Sequence, residues 1–286
     1  MWCFSVNIFS LSIRFYPPHN PASSAGMLQS NHMSSWSQKR KSTYFVGFMA
    51  FLLVAVALPA YFIFYKSPTC FDGKQNGDEK GIDCGGVCVN LCRSQYLEPN
   101  IIWARIIEVK AGQYNALAYI ENPNIDAGVD SISYSFKIKD NNGVLIYERK
   151  GDTFIPPDKF FAIFENEISV GERIPSKVIF EFTSDALWKN KENKEAGLTM
   201  LNESVSREES FPRIDATVGN KTLQSISRIE VVAIAYDSEG NALGFSRTFI
   251  DRLDKGETQN IAFTWPEPFK SKVEKIEIIP RVHSKK

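Results

Sequence analysis

The feature that most constrains this chain is an uninterrupted apolar run near its N-terminus. Residues 44–65 read YFVGFMAFLLVAVALPAYFIFY, twenty-two residues without a charge. A run of this length can cross a hydrocarbon core of about 30 Å as a helix. Aromatic side chains at both ends suit the two membrane interfaces, and Pro59 is tolerated near a helix end. The run therefore predicts a transmembrane helix over residues 44–65, with the lipid bilayer as its first partner.

The placement of charge predicts the orientation of this helix. The chain contains 33 basic and 33 acidic residues, but the first 65 residues hold four of the basic ones and no acid. Lys39, Arg40 and Lys41 lie directly before the apolar run, and such a cluster stays on the cytoplasmic side. We expect a single-pass protein of the cell membrane, with residues 1–43 a disordered cytoplasmic N-terminus and the residues from 66 onward extracytoplasmic.

A cleaved signal peptide is the alternative, because it also places an apolar stretch after basic residues. The run is longer than the apolar region of a usual signal peptide, and no small-x-small cleavage site lies at its outer end. Cleavage of the anchor and the choice of start among Met1, Met27 and Met33 stay open.

Four of the five cysteines, Cys70, Cys84, Cys88 and Cys92, lie within one short segment, and Cys3 lies far from them. An even cluster in a Gly-rich segment with little apolar surface predicts two disulfides in an extracytoplasmic module over residues 66–95. Three pairings are possible. A zinc site made of these cysteines is the alternative, although their spacing departs from the paired C-x2-C form.

The same segment is rich in side-chain oxygens. Asp72, Asn76, Asp78 and Asp83 fall near positions 1, 5, 7 and 12 of a calcium-binding loop, but Lys74 occupies position 3, where an oxygen ligand belongs. Turns between the cysteines explain the Asp-Gly, Asn-Gly and Gly-Gly pairs equally well. Calcium is therefore the one cofactor that the sequence suggests.

The segment CFDGKQNGDEKGIDCGGVCVNLC also resembles a short cysteine-rich motif that recurs in extracytoplasmic proteins of bacteria and archaea. The resemblance implies an exposed spacer or display element stapled by disulfides. It implies no catalytic role.

Beyond Cys92 the chain alternates apolar and polar residues with the period of a β-strand, as in DSISYSFKIKD at residues 130–140. Further strands are predicted at 102–109, 114–120, 144–147, 160–168 and 178–182. Short strands at this spacing are typical of a sandwich. The predicted fold class is mainly β: one N-terminal transmembrane helix, the disulfide-stapled module, and two tandem immunoglobulin-like β-sandwiches at 96–183 and 211–286. The polar residues 184–210 are predicted to be a linker, with one edge strand near Leu198 to Leu201.

The two predicted sandwiches show a repeated pattern. The first contains Ala118, Asn122, Gly143 and Thr153–Ile155, and the second contains Ala216, Asn220, Gly240 and Thr248–Ile250 at similar spacing. Order, spacing and turn residues agree, which favours a duplication.

The second copy, from ATVGNKTLQS to the Asp251–Glu257 stretch DRLDKGE, resembles FxLYD-type domains. The first copy, with Asn122-Pro123-Asn124 and Pro156-Pro157, is similar to the related late-embryogenesis-abundant type of sandwich. The resemblance implies immunoglobulin-like extracellular modules used in assembly or binding, without catalytic residues.

Motifs for catalysis or nucleic-acid binding are absent from the sequence. The charges form no basic stripe, which argues against a nucleic-acid partner. From residue 66 onward the chain contains one histidine, His283, and no P-loop, HExxH or G-x-S-x-G motif occurs. We therefore expect a protein that is not an enzyme and that, apart from calcium as the alternative, has no cofactor.

The leading hypothesis is a membrane-anchored extracytoplasmic arm that binds or assembles with a protein partner of the cell envelope, through strand addition at a sheet edge. The alternative is a calcium- or polysaccharide-binding surface protein. It would act through the Asp72–Asp83 loop or through exposed aromatics such as Trp188 and Trp265, although core packing explains both tryptophans as well. Asn202-Glu203-Ser204 and Asn220-Lys221-Thr222 also fit the glycosylation triplet, but Asn220 lies at the turn of the repeat, where a structural role suffices.

Overall fold

The computed structural model describes residues 35–64, 69–157 and 159–283, which belong to two units, an N-terminal helix and a compact β-rich body. The helix α1 spans Ser35–Phe64. The strands of the body are β1 (Asn100–Lys110), β2 (Gln113–Asn122), β3 (Ala127–Lys139), β4 (Leu145–Ile155), β5 (Lys159–Ser169), β6 (Lys177–Phe182), β7 (Trp188–Asn190), β8 (Leu198–Ser206), β9 (Arg213–Asn220), β10 (Ile226–Tyr236), β11 (Ala242–Leu253), β12 (Thr258–Thr264) and β13 (Lys275–Val282). The predicted mainly β fold is confirmed.

Helix α1 is long and apolar enough to cross a membrane over Lys39–Phe64, a stretch of 26 residues. At 1.5 Å per residue this stretch is about 39 Å long. The helix begins earlier than predicted, because no proline or glycine interrupts Ser35 to Tyr44 and the Thr43 hydroxyl donates to the Lys39 carbonyl at 2.9 Å. The prediction that residues 35–43 are disordered is therefore wrong. Tyr65, the predicted end of the helix, and residues 1–34 with Cys3 lie outside the described residues.

The body contains two sandwiches with the same topology. The first pairs a β1-β2-β5 sheet with a β4-β3-β6 sheet, and the second pairs a β8-β9-β12 sheet with a β11-β10-β13 sheet. All of these strand pairs are antiparallel. Strands β1 to β6 therefore correspond one by one to β8 to β13, and the predicted repeat of the layout is confirmed.

Two buried asparagines occupy the same position in the two copies. The Asn122 side-chain amide donates to the carbonyls of Ala127 and Pro156 at 2.8 and 2.6 Å. The Asn220 amide donates to the carbonyls of Leu253 and Asp254 at 3.0 and 3.2 Å, and to that of Gln224 at 2.8 Å. Each asparagine ends the central strand of one sheet and holds the end of an edge strand of the facing sheet.

The register of the strands corrects one part of the repeat. Ile155 pairs with Val129 in the first copy, and Leu253 pairs with Ile226 at the same place in the second. Leu253, and not Ile250, is therefore the counterpart of Ile155. The first copy has a register shift between Val129 and Ile132 that the second copy lacks, so equal spacing in the sequence does not give equal positions in the two sheets.

The segment predicted as a linker, residues 184–210, contains two strands. Strand β7 pairs with β3, and β8 pairs with β9 as the first strand of the second sandwich. The edge strand predicted near Leu198 is therefore longer than expected, and the second sandwich begins at Leu198 and not at residue 211. Strand β8 has a polar sequence because most of its side chains are exposed at the edge of the sheet.

Candidate functional site

The four clustered cysteines form two disulfides. Cys70 is bonded to Cys88 and Cys84 to Cys92, with Cα atoms 5.6 and 5.0 Å apart. This result selects one of the three pairings that the sequence left open. It also removes the zinc alternative for these residues, since a disulfide sulfur is not the thiolate that zinc binds.

The predicted calcium ligands mainly hold the loop together. The Asp83 carboxylate accepts the backbone N–H groups of Asp72 and Gly73, both at 2.9 Å. The Asp72 carboxylate accepts the Lys74 N–H at 3.0 Å and the Asn76 side-chain amide at 2.9 Å. The hydrogen bond from Asn76 holds the pKa of Asp72 below its usual range. Asp72, Asn76 and Asp83 thus close the loop, whereas Asp78 is exposed outside this network.

One hydrogen-bond acceptor inside the loop has no partner. The Asn76 Oδ1 atom is buried without a hydrogen-bond partner, although buried polar atoms are normally paired. Among the described residues, the Cys, Asp, Glu and His side chains that could share a metal are Cys70, Glu79 and Cys88. Because both cysteines are joined in a disulfide, Glu79 is the one residue of that group that keeps a metal-binding side chain. Its Oε2 accepts the N–H groups of Asn76 and Asp83, both at 3.3 Å.

The disulfide-stapled module is packed against the first sandwich. The Leu91 N–H of the module donates to the Trp188 carbonyl at 2.8 Å, and Tyr96, directly after the module, stacks its ring on Trp188 with centroids 4.9 Å apart. The Asn124 side chain bonds both the N–H and the carbonyl of Leu97 at 2.8 Å. The module is therefore a fixed part of the β body.

Neither tryptophan that the sequence suggested as a binding residue presents its ring to solvent. Trp188 is 1% exposed and Trp265 is 4% exposed, and Trp265 packs edge to face on Phe269. Both are core residues, so the polysaccharide alternative is wrong in its choice of these two residues.

The two sandwiches share an apolar interface. The outer face of the β1-β2-β5 sheet packs on the outer face of the β11-β10-β13 sheet, which stacks four sheets in one body. The buried side chains of this interface are Leu117, Ala162, Phe164, Val232, Ile234, Tyr236, Phe245 and Ile279. Strand β10 is consequently buried on both faces, as its continuous apolar run VVAIAY requires.

Arg281 crosses this interface from β13 of the second sandwich. Its guanidinium donates to the Ala162 carbonyl at 2.9 Å, to the Thr153 hydroxyl at 2.7 Å and to the Phe154 carbonyl at 3.0 Å, all in the first sandwich. The guanidinium also lies over the Phe154 ring, 4.3 Å from its centroid. Burial lowers the pKa of Arg281, and the nearby Glu230 opposes this shift.

Glu230 of β10 is the counter-charge at the interface and is 4% exposed. Its carboxylate lies 3.4 Å from Arg281 Nη1, 3.3 Å from Arg247 Nη1 and 3.2 Å from His283 Nε2. Arg247 also donates to the Phe164 carbonyl of the first sandwich at 3.2 Å. Burial alone would raise the pKa of Glu230, but Arg281, His283 and Arg247 together lower it to about 2. The carboxylate is therefore ionised at neutral pH.

Further polar contacts link the two sandwiches around this pair. Lys159 donates to the Pro280 carbonyl at 2.6 Å, and burial lowers its pKa to about 8, against the opposing effect of the Glu195 charge. The hydroxyls of Tyr119 and Tyr236, one from each sandwich, both donate to Glu277, at 2.6 and 3.2 Å. Burial, followed by the effects of Glu277, raises the pKa of both tyrosines.

A cleft of about 530 Å³ opens along this boundary, lined in part by Lys159, Phe160 and Glu277. Beside it, the rings of Trp103, Tyr119 and Phe160 stack in sequence with centroids 5.4 Å apart. The polar groups of the cleft already bind other residues: Lys159 binds a carbonyl of the second sandwich, and Glu277 binds two tyrosines. The arrangement joins domains, and it contains no pairing of a nucleophile with a base among the contacts of these residues.

Sequence reasoning missed the residues of this interface. The sequence patterns assigned no role to Arg281, Glu230 or Lys159. One signal was available, because Glu230 is the one acidic residue in the long apolar strand IEVVAIAY, and such a charge has to be paired when its strand is buried.

The chain matches no protein-family model and no curated protein. Among solved structures, a β-glucuronidase of Bacteroides uniformis is similar over 60% of this chain and 24% of its own, with 15% identity and a TM-score of 0.23. A red sea bream transglutaminase is similar over 65% of this chain and 32% of its own, with 8% identity and a TM-score of 0.18. The chain thus spans about a quarter to a third of these enzymes. TM-scores this low assign neither a fold nor a function.

Proposed function

We propose that this chain is a non-catalytic, membrane-anchored extracytoplasmic protein, and that its β body serves as a stiff binding or assembly arm of the cell envelope. The observation that carries the proposal is the buried boundary between the sandwiches, with Arg281 donating three hydrogen bonds into the first sandwich. Two modules that bind independently need no such connection, whereas an arm that holds a partner at a set distance from the membrane does.

The other parts of the molecule support this location. An apolar helix of membrane-spanning length precedes the body in the sequence. The first disulfide cysteine, Cys70, follows the end of that helix by six residues, and the two disulfides extend as far as Cys92. Disulfides persist in oxidising compartments outside the cytoplasm. The basic cluster Lys39–Lys41 lies at the other end of the helix, where it favours a cytoplasmic N-terminus.

Strand β4 is the edge that we propose for partner binding. It is 11 residues long and pairs with β3 on one side only, so its outer backbone groups can pair with a strand of another protein. A protein partner in the envelope is therefore favoured over a small ligand.

Crosslinking in intact cells tests the proposal. A photoreactive residue in place of Lys150 on β4 should capture one envelope protein, and the same residue in place of Lys255, which is exposed in the turn between β11 and β12, should not. Capture of cytoplasmic proteins, or no capture from Lys150, would contradict the proposal.

A second candidate function is cation binding by the Asp72–Asp83 loop, and the observation that favours it is the unpaired buried Asn76 Oδ1. Calcium that binds this loop should raise the melting temperature of the full chain, and a chelator should reverse the rise. The variant Asn76→Ala should abolish the calcium effect, whereas Asn142→Ala in an exposed turn should keep it. Equal melting with calcium and with chelator would eliminate this candidate.

A further inference from the structure

Two Asn-x-Ser/Thr triplets occur in the second sandwich, and the structure gives them opposite environments. Asn220-Lys221-Thr222 follows the end of β9, and Asn202-Glu203-Ser204 lies within β8. Attachment of a glycan requires an accessible side-chain amide on a surface segment. The two triplets can therefore be compared as acceptors within one domain.

Asn220 is not accessible. It is 2% exposed, and its amide nitrogen donates to three carbonyl groups. Its Oδ1 accepts the N–H and the hydroxyl of Thr222 at 2.9 and 2.7 Å. A glycan on this nitrogen would break the connection between the two sheets, so Asn220 serves the fold.

Asn202 lies on an exposed bulge. The register of β8 against β9 shifts between Leu201 and Ser204, so Asn202 and Glu203 have no paired residue in β9. The backbone of Asn202 has a φ of 54°, the left-handed region that suits a bulge and that asparagine tolerates well. Asn202, Glu203 and Ser204 are all exposed. The Asn202 amide makes one long contact, 3.4 Å to the Thr217 hydroxyl.

We propose that Asn202 is an N-glycosylation site, an inference that rests on the extracytoplasmic location proposed above. The donor class is an oligosaccharide linked through phosphate to a polyprenyl lipid. The Asn202 Nδ2 atom forms a bond to the sugar C1 while the bond from C1 to the phosphate oxygen breaks. The amide proton and the phosphorylated lipid leave as the second product, so no oxidant or reductant is required.

A glycan at this position has a structural consequence. Strand β8 is an edge of its sheet, bonded to β9 on one side, and exposed edges invite pairing with other chains. A glycan on Asn202 covers this edge and leaves β4 of the first sandwich open to a partner.

The test expresses the full chain in membranes of cells that carry an N-glycosylating oligosaccharyltransferase and reads occupancy by peptide mass spectrometry. We expect the peptide with Asn202 to carry sugar residues and the peptide with Asn220 to carry none. The variant Ser204→Ala, which keeps Asn202 on its bulge, should remove the modification from the chain. Absence of sugar from the Asn202 peptide of the wild type would overturn the proposal.

A second variant separates this inference from the proposed location. Val144→Thr turns Asn142-Gly143-Val144, in the exposed turn between β3 and β4, into an acceptor triplet. Glycan on Asn142 in this variant with Asn202 unmodified would overturn the inference and leave the proposed location standing. Absence of glycan from both sites would contradict the extracytoplasmic location and the inference together.

Discussion

The guanidinium of Arg281 lies 3.4 Å from the carboxylate of Glu230, and both side chains are almost completely withdrawn from solvent at the boundary between the two sandwiches. Moving two charges out of water is costly, and their attraction offsets the cost only when their remaining donors and acceptors are also paired. Arg281 meets this condition in part: its two terminal nitrogens donate to two carbonyls and a hydroxyl of the first sandwich, whereas its Nε is buried without a hydrogen-bond partner. The pair therefore specifies how the sandwiches dock, while the apolar contacts supply the main driving force.

The substitution Arg281→Met should destabilise the body by about 3–5 kcal/mol, because it leaves the Glu230 charge buried with fewer partners. The measurement is chemical unfolding of the detergent-solubilised chain, followed by tryptophan fluorescence. Arg252→Met is the matched control, since Arg252 forms an exposed pair with Asp254, and it should cause no measurable loss. Similar losses in the two variants would contradict the role assigned to Arg281.

The stability of the body should fall as the pH drops from about 4.5 towards 2. The folded pKa of Glu230, about 2, is below the ordinary value of 4.5 for this side chain, so the folded state releases this proton more readily than the unfolded state. Glu230 thereby adds about 3 kcal/mol to the free energy of unfolding. This contribution is fully present above pH 4.5 and is lost as the pH falls through the folded pKa. Unfolding at a series of pH values should show a shallower acid slope for Glu230→Gln than for the wild type. An unchanged slope would show that Glu230 is not the group responsible.

The equivalent asparagines should be about equally important to their sandwiches. Asn122→Ala and Asn220→Ala each leave buried carbonyls without donors, a loss of about 1–3 kcal/mol for each unpaired group. The exposed Asn142 offers a control, Asn142→Ala, which should leave the unfolding midpoint unchanged. A tolerated Asn122→Ala variant would mean that water replaces the amide at that junction.

The disulfides should order the module locally. In the double variant Cys84→Ser with Cys92→Ser, we expect faster amide hydrogen exchange over residues 70–92 and unchanged exchange in β2 and β10, since the sandwich cores lie outside the stapled segment. Partial reduction and alkylation of the wild type should recover Cys70 with Cys88 and Cys84 with Cys92. Recovery of another pairing would contradict the structure described here.

Local patterns predicted several elements well. The alternation around Phe136 predicted a strand that now spans Ala127–Lys139, and the turns at Gly143 and Gly240 lie between paired strands as expected. Predictions that depended on context were less accurate. Residues 184–210 were interpreted as a linker because edge strands are polar. The counterpart of Ile155 was misplaced because the first copy has a register shift near the end of β4 that the second copy lacks.

The sequence by itself determined the apolar helix, the disulfide-rich module and the duplicated β-sandwich, because each of these depends on composition and periodicity within a short stretch. Only the tertiary structure decided the disulfide pairing, the docking of the sandwiches and the different environments of Asn202 and Asn220. Those properties depend on which distant residues meet, as Arg281 meets Ala162 across 119 positions of the chain. A charged side chain looks the same in the sequence whether it lies in water or between two sheets, and only its neighbours in space distinguish the two cases.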